Sequence, residues 1–250
     1  MKKQIELNQE YIFPTPVYWT DLPGYLDDIK EVYPKYFDEK HQDAGFPNMG
    51  NQMLQEPKLE KFSTELQNIA RDILNADGYD MQNFDPVLHA MWVQEHGYLS
   101  SMEYHVHGNG DQLVGFYFID APKNCGSAIF HDPRPGKVQI NLPEKNRSES
   151  TTASSMINYK MVPGRLIIAP SWVPHSFTKN MNKKEPAIFI HINIGVGVKQ
   201  QCQTTPVEPS RPTPISPLLI KSAISCPPAH PRPRPKRRLR GLWHRSAEIQ

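Results

Sequence analysis

Short apolar segments separated by turn-forming residues occupy the chain from residue 86 onward, and they limit its fold more than any other feature. Short strands at regular spacing are typical of a β-sandwich or a β-barrel, because each strand can bury one face against a second sheet. The predicted strands cover residues 87–95, 101–107, 112–119, 127–131, 156–160, 165–169 and 187–195. The sequence therefore predicts a mainly β fold over this part of the chain.

The residues before this block carry helical patterns. Within residues 57–74, apolar side chains recur at steps of three and four from Leu59 to Ile73 with charged residues between them, which predicts an amphipathic helix. A second helix is predicted over 24–36, and the run 12–19, which contains two prolines, fits an edge strand or an extended lead-in. A helical block followed by many short strands predicts a barrel or sandwich with helices on one side.

The composition changes abruptly near residue 200. Residues 201–250 hold nine Lys and Arg against two Glu, a net charge of +7, together with ten of the 25 prolines. Such a segment buries too little apolar surface to offset the entropy of ordering, so 200–250 is predicted to be a disordered Pro/Arg-rich tail and 1–199 a single β domain with N-terminal helical support. The basic charge would allow contact with nucleic acid or an anionic surface, although a solvated extension without function is the simpler interpretation.

The chain carries no sequence signal of a secreted or membrane protein. The three cysteines, Cys125, Cys202 and Cys226, have no paired spacing, which gives no sign of a disulfide framework or a zinc cluster and favours a reducing compartment. The first residues are polar rather than a signal peptide, and no apolar run reaches the length of about eighteen residues that indicates a membrane span. We therefore expect a cytoplasmic protein.

Two histidines one residue apart, His105 and His107, mark the candidate functional site. Side chains alternate along a strand with period two, so both imidazoles are expected on one face, where they can bind one metal ion. The run from Gly164 to Pro170 is a turn and a buried strand closed by proline, which places His175 at a strand end. Three imidazoles on one side of a metal leave positions open for a co-substrate and O2, as in the facial triad of non-haem Fe(II) enzymes.

A facial triad usually contains one carboxylate, and Asp111 is the nearest one to the histidine pair in the sequence. It lies four residues after His107 in a turn-prone stretch. Closing that turn through a hydrogen bond to the backbone is its simpler role. Asp111 is therefore the alternative ligand if His107 does not bind the metal.

Several other polar residues are candidates for the same cavity. Arg134 follows the strand that ends at His131, and its guanidinium fork is suited to holding a carboxylate through two parallel hydrogen bonds. Tyr104 and Tyr117 either contribute hydroxyl groups to the cavity or only pack. His191 is expected to be an inward-facing polar residue of the last strand rather than a ligand.

Six short motifs occur in an order that resembles one family. They are Ile12-Phe13-Pro14-Thr15-Pro16, Met91-Trp92-Val93-Gln94-Glu95, His105-Val106-His107-Gly108-Asn109, Gly115-Phe116-Tyr117-Phe118, Phe130-His131-Asp132-Pro133-Arg134-Pro135-Gly136 and Pro174-His175. Over roughly residues 10–196 the chain is similar to the 2-oxoglutarate and Fe(II)-dependent oxygenases that are common in cyanophages and marine bacteria. The tail lies outside this resemblance.

The resemblance implies a fold and a set of cofactors. The fold is a double-stranded β-helix, which is a jelly-roll of the cupin type, with Fe(II) bound at the open end of the barrel by His105, His107 and His175. The co-substrates are 2-oxoglutarate and O2, and 2-oxoglutarate is expected to chelate the metal. The H-x-H form of the first motif, in place of the commoner H-x-D/E, is shared with this family.

The last strand lacks the basic residue that usually anchors 2-oxoglutarate in this fold. Relatives of this fold place an Arg or Lys on the last strand to pair with the far carboxylate of 2-oxoglutarate, but residues 176–198 contain no arginine. Arg134, Lys183 and Lys184 are the candidates for this role, and the hydroxyl of Tyr117 is the candidate to assist them.

Three functions agree with these motifs. The first is an Fe(II)- and 2-oxoglutarate-dependent dioxygenase that hydroxylates an unidentified C–H bond, with a protein side chain as one candidate substrate. The second is a three-histidine metal enzyme of the cupin type that does not use 2-oxoglutarate. The third is a non-catalytic β-barrel binding module, such as a phage accessory protein. The ordered motifs favour the dioxygenase.

Overall fold

Two antiparallel β-sheets pack face to face in the described part of the chain, and helices cover one of them. The computed structural model describes residues 7–37, 45–140 and 142–199. The strands are β1 (Tyr18–Asp21), β2 (Asn48–Gln52), β3 (Phe84–His96), β4 (Met102–His105), β5 (Leu113–Asp120), β6 (Ser127–His131), β7 (Met156–Lys160), β8 (Arg165–Pro170), β9 (His175–Phe177) and β10 (Ala187–Val198). The α-helices are α1 (Leu26–Val32) and α2 (Glu60–Ala76).

The strand order is that of the predicted double-stranded β-helix. The larger sheet has the order β1-β8-β5-β10-β3-β2, the smaller sheet has the order β4-β9-β6-β7, and neighbouring strands run antiparallel. From β3 onward the chain passes repeatedly between the two sheets, so strands far apart in sequence become neighbours. This topology brings β4 beside β9, and with them the two predicted histidine motifs.

Side-chain alternation divides the apolar residues into two cores. On β5, Val114 and Phe116 point between the sheets, whereas Leu113 and Tyr117 point towards the helices. The core between the sheets is rich in phenylalanine, and the core under the helices also contains Phe62 of α2. Burying each large apolar side chain contributes roughly 1.5–3 kcal/mol, so both layers hold the barrel together.

The helical predictions are confirmed with changed ends. The amphipathic helix is α2, and a 3-10 turn at Pro57–Leu59 precedes it. The helix predicted over 24–36 is limited to α1, with a 3-10 turn on each side. Pro34 has no amide hydrogen to continue the α-helical bonding pattern, which accounts for the early end of α1.

The seven predicted strands are all present, with β6 and β7 at their predicted ends and the other five with shifted ends. The run 12–19 enters a strand only at Tyr18, in β1, which is an edge strand as expected. Strands β2 and β9 were not predicted. β9 has only three residues, and β2 has the polar sequence Asn-Met-Gly-Asn-Gln. Both are therefore held by pairing with their neighbours in the sheets rather than by an apolar pattern of their own.

The remaining predictions on organisation concern the ends of the chain. The Pro/Arg-rich tail lies outside the described residues, so the division at residue 199 stays a prediction. None of the helices in residues 7–37, 45–140 and 142–199 has the length and apolar character needed to cross a membrane.

Candidate metal centre

Three histidines converge at one end of the barrel, between the sheets. His105 is the last residue of β4 and His175 is the first residue of β9, and the two are direct cross-strand partners. One ring nitrogen from each of His105, His107 and His175 lies within 4.8 Å of the others. The two histidine motifs that were predicted to form one site are therefore brought together.

His107 reaches this cluster from beyond the end of the strand. β4 ends at His105, so strand alternation does not by itself fix the direction of the His107 ring. The backbone amide of His107 donates to the carbonyl of Ser171 at 2.9 Å, which ties the segment after β4 to the segment before β9. The ring of His107 stacks on that of His175 with their centroids 5.1 Å apart.

Backbone hydrogen bonds set the tautomers of two of these rings. Nδ1 of His105 donates to the carbonyl of Glu103 at 2.7 Å, and Nδ1 of His175 donates to the carbonyl of Val173 at 3.0 Å. Because a carbonyl only accepts, each Nδ1 must carry the hydrogen, and the lone pair of a neutral ring is then on Nε2. In His175 and His107 the buried Nε2 has no hydrogen-bond partner among the described residues. This is the arrangement that histidine ligands of metals usually show.

Burial favours the neutral, metal-binding form of the cluster. Burial, opposed by the hydrogen bond to Val173 and aided by the neighbouring imidazoles, lowers the pKa of His175 to about 3. It also lowers the pKa of His107, with a contribution from His105, while Asp111 acts in the opposite direction. Neutral imidazole is the form that binds metal ions, so the site offers lone pairs without first losing protons.

Asp111, the alternative ligand, pairs with another residue. Its carboxylate lies 2.8 Å from Nδ1 of His89, and the Oγ of Ser171 donates to its backbone carbonyl at 2.7 Å. The His89 ring lies against Gly195, where an added Cβ would be 1.9 Å from a ring carbon. Asp111 is therefore held at the edge of the site by His89 and is not a member of the converging group.

The segment that carries this cluster matches a family model. Residues 90–191, which include all three histidines, match the model of a family described as "Putative 2OG-Fe(II) oxygenase". That segment is similar to 2-oxoglutarate and Fe(II)-dependent oxygenases. No protein among the curated sequences matches the chain.

Solved structures of low sequence identity share the fold. One is the non-haem alpha-ketoglutarate-dependent epimerase SnoN from nogalamycin biosynthesis, with a TM-score of 0.52 and 12% identity over 74% of this chain and 82% of that one. Another is a prolyl-4-hydroxylase from Pseudomonas putida, with a TM-score of 0.50 and 9% identity over 72% of this chain and 92% of that one. These likenesses confirm the predicted double-stranded β-helix.

The cofactors of the matched family agree with the residues present. The family uses Fe(II) and 2-oxoglutarate, as its description states. Neutral imidazole nitrogens suit Fe(II), and three of them on one side leave coordination positions open. The predicted cofactors, Fe(II) and 2-oxoglutarate, are therefore supported by the family match and, for the metal, by the donor set.

Tyr117 does not lie in the cavity where a co-substrate hydroxyl contact was predicted. Its side chain is on the helix face of the larger sheet, packed against Phe62, and its hydroxyl donates to the carbonyl of Leu22 at 2.8 Å. Alternation along β5 explains the placement, because the next inward position is Phe116. Tyr117 is thus a core residue under the helices. Tyr104 is exposed, with its ring against that of His131.

Arg134 has its guanidinium fork engaged by a neighbour. Nε and Nη2 of Arg134 donate to the two carboxylate oxygens of Asp132 at 2.9 and 2.8 Å, and the Arg134 side chain is 56% exposed. The side-chain hydrogen bonds from Arg134 are the main reason that the pKa of Asp132 is lowered to about 2. Arg134 lines a cavity of about 600 Å³ whose lining does not include the three histidines. The structure therefore does not bring Arg134 to the cluster.

Lys183 and Lys184 lie in the exposed loop before β10. Nζ of Lys183 is 5.6 Å from the centre of the Tyr98 ring, at the end of the barrel where β3 finishes. Both lysines precede Ala187, which is four residues, or about 13 Å of extended strand, from His191. They are not brought to the cluster either.

A fourth histidine borders the site, and it faces inward as predicted. His191 is 3% exposed, and its ring centroid is 4.8 Å from that of His107. The ring stacks on the indole of Trp92 at 4.1 Å, and Gln94 bonds to its Nδ1. Burial, followed by the neighbouring imidazoles, lowers the pKa of His191. The link to Gln94 was not predicted. The signal that could have indicated a buried polar contact is the pair His191 and Asn193, two residues apart in the otherwise apolar strand β10.

Proposed function

We propose that the protein is an Fe(II)- and 2-oxoglutarate-dependent dioxygenase that hydroxylates a C–H bond of its substrate. The observation that carries the proposal is the convergence of His105, His107 and His175 within a segment similar to this oxygenase family. Nε2 of His105, Nε2 of His175 and a ring nitrogen of His107 would hold the metal from one side only. The opposite side would stay open for 2-oxoglutarate and O2.

The residues around the cluster would position the metal and exclude water. The carbonyls of Glu103 and Val173 fix the rings of His105 and His175, so the ligands are set before the metal binds. Phe116 contacts the His175 ring edge-to-face at 5.1 Å and shields the inner side of the site. When bound, Fe(II) with 2-oxoglutarate supplies the activation of O2 that is coupled to decarboxylation of 2-oxoglutarate to succinate.

Turnover of 2-oxoglutarate tests this function. The full-length chain would be loaded with Fe(II) without oxygen, mixed with 2-oxoglutarate and O2, and assayed for succinate with and without candidate substrates, peptides included. We expect succinate formation that requires both Fe(II) and 2-oxoglutarate. The matched control is His175→Ala, which should form none. A wild-type protein that binds Fe(II) but gives neither succinate nor a charge-transfer band with 2-oxoglutarate would contradict the proposal.

A three-histidine metal enzyme without 2-oxoglutarate is the second candidate, and one observation favours it. The inward positions of β10 hold Ala187, Phe189, His191 and Asn193, so this strand presents no cation to a dicarboxylate. Metal binding without binding of any 2-oxo acid would support this candidate. A chain that binds no metal would instead be a non-catalytic barrel.

Other parts of the proposal rest on composition. Cys125 is a buried free thiol, which supports a cytoplasmic location, since reducing compartments keep thiols unpaired. The basic tail is the candidate for any contact with nucleic acid, and a protein side chain remains a candidate substrate. An origin in cyanophages or marine bacteria stays a prediction from the resemblance.

A further inference from the structure

A row of polar side chains runs through the otherwise aromatic interior of the barrel. His96 and Gln94 are each 1% exposed, and His191 is nearly as buried. Around them lie rings such as Phe177 and Phe189. Buried polar groups are costly unless they are hydrogen-bonded, so a row of three in an aromatic core requires a reason.

The pairing of β3 with β10 aligns this row. Trp92 is opposite His191 and His96 is opposite Ala187 in the antiparallel register, and Gln94 lies between them. Side chains two apart on a strand share a face, so positions 92, 94 and 96 all point between the sheets. The row therefore leads from the far end of the barrel to the edge of the metal centre.

The hydrogen bonds of the row set the tautomer of His191. Nε2 of His96 donates to Oε1 of Gln94 at 3.2 Å, and the Gln94 amide nitrogen donates to Nδ1 of His191 at 3.2 Å. An amide NH2 group can only donate, so Nδ1 of His191 holds the lone pair. The hydrogen of the neutral ring is then on Nε2. This is the reverse of His105 and His175, whose Nε2 atoms carry lone pairs.

The Nε2 hydrogen of His191 makes no hydrogen bond of good geometry with any described residue. Burial lowers the pKa of His191 and a side-chain interaction with Asn193 opposes this, but the amide oxygen of Asn193 is itself buried and without a well-aligned partner. The ring is held by stacking on Trp92 and by edge contact with Phe116 at 5.0 Å. A fixed donor beside His107 is a site for a negatively charged or carbonyl oxygen that arrives with a ligand.

We propose that Nε2–H of His191 binds the carboxylate of a 2-oxo acid at its metal-chelating end, and that Gln94 and His96 position this donor. The inference rests on the proposed function. His191 borders His107, so it reaches the part of the co-substrate nearest the metal, which monocarboxylic and dicarboxylic 2-oxo acids share. The expected anchor for the far carboxylate has no part in this contact.

Titration of two 2-oxo acids into the same protein tests the inference. The full-length chain, loaded with Fe(II) without oxygen, would be titrated with 2-oxoglutarate and with 2-oxobutyrate, which lacks the far carboxylate, and followed by the charge-transfer band. Calorimetry with Mn(II) in place of Fe(II) gives a second measure of binding. Metal affinity and the thermal midpoint would be measured separately for every variant.

His191→Phe removes the donor and keeps an aromatic ring of similar size. We expect unchanged metal affinity and a loss of affinity for both acids on the order of ten- to a hundredfold, as for a hydrogen bond to a charged group. Gln94→Glu should give a similar loss with the ring still present when binding is measured at high pH, where the imidazole is neutral, because a carboxylate accepts from Nδ1–H and the lone pair is then on Nε2. The control, Tyr117→Phe, removes a hydroxyl group that lies under the helices and should leave both affinities within about twofold.

The alternatives give different results. Metal affinity that falls in His191→Phe as far as in His175→Ala would make His191 a fourth ligand and overturn the inference. A loss of affinity confined to 2-oxoglutarate would mean that His191 binds the far carboxylate, and it would overturn the inference as well.

Unchanged affinity for both acids would show that His191 does not bind them, and the proposed function would be unaffected. A wild-type protein that binds iron but neither acid would overturn the proposed function and the inference together. If His191→Phe does not fold, Gln94→Glu decides.

Discussion

His105 and His175 are cross-strand partners whose ring centroids lie 4.3 Å apart, one at the end of β4 and the other at the start of β9. Each ring is held through Nδ1 by a backbone carbonyl two residues before it. The pair is therefore set by the backbone of two adjacent strands. His107 joins it through the loop that follows β4.

This geometry predicts the effect of removing one ligand. Replacing His105, His107 or His175 by Ala should reduce iron affinity at least a hundredfold, because two neutral imidazoles hold a labile divalent ion weakly. Asp111→Ala should retain iron, since Asp111 pairs with His89. Metal content after dialysis, measured by mass spectrometry, checks this. Full iron in His107→Ala together with loss in Asp111→Ala would identify Asp111 as the ligand.

The buried His96 predicts a dependence of stability on pH. Burial lowers the pKa of His96 to about 4, compared with about 6.5 in an unfolded chain. Below pH 6.5 the unfolded state takes up a proton that the folded state does not, so the free energy of unfolding falls as the pH decreases towards 4. For this one residue the loss is roughly 3 kcal/mol across that range.

His96→Phe should remove that contribution, and the two proteins are compared without metal. Denaturant unfolding at pH 7 and pH 4.5 would show a smaller fall in the free energy of unfolding for the variant. The other buried histidines, His175 among them, titrate in both proteins, so they cancel in the difference. An equal fall in the free energy of unfolding of both proteins would show that burial does not keep His96 neutral in the folded state.

Tyr117→Phe is expected to affect stability and not ligand binding. The hydroxyl of Tyr117 donates to the carbonyl of Leu22, which follows β1 and is half-buried, and its loss leaves that carbonyl without this donor. The free energy of unfolding should fall by about 1–3 kcal/mol. Affinity for 2-oxoglutarate should stay within about twofold, because the ring lies under the helices. A large change in the affinity for 2-oxoglutarate would show that Tyr117 acts at the co-substrate site after all.

Arg134→Lys is expected to leave co-substrate affinity unchanged. Nε and Nη2 of Arg134 already bind the carboxylate of Asp132 and the side chain is largely exposed, so we expect this ion pair to hold the guanidinium away from a co-substrate. The same titration of the charge-transfer band with 2-oxoglutarate measures this. A tenfold weaker affinity in the variant would show that Arg134 leaves Asp132 when the co-substrate binds, and would make it the anchor.

Removal of the tail should not change the barrel. A chain ending at Lys199 is expected to keep the thermal midpoint and the iron content of the full chain, because the Pro-rich, basic composition of 201–250 offers little apolar surface to bury. Calorimetry of both proteins checks this. A midpoint lower by several degrees would mean that the tail docks on the folded domain.

The local patterns of the sequence predicted much of the fold and the three histidines. The spacing of apolar residues identified α2 and seven strands, because burial of one face requires that period whatever the partner. The pair His105 and His107 and the strand-end position of His175 identified the candidate ligands. Strand β9 was missed because three residues carry no readable period.

The anchor for the co-substrate could not be predicted in the same way. Arg134 and the two lysines were chosen for their charge, but charge says nothing about which neighbour a side chain will bind. In the structure Arg134 binds Asp132, and the side chain of Tyr117 points towards the helices. It instead places His191 against His107, with its tautomer set by Gln94 from a strand about a hundred residues earlier.

The sequence alone determined the class of fold and the chemistry of the ligands, since both follow from residue types at short spacing. The tertiary structure decided which side chains share a cavity, because that depends on strand register and on the pairing of β3 with β10. A shift of one residue in that register would turn His191 to the other face of the sheet. Short-range patterns in a sequence do not contain that information.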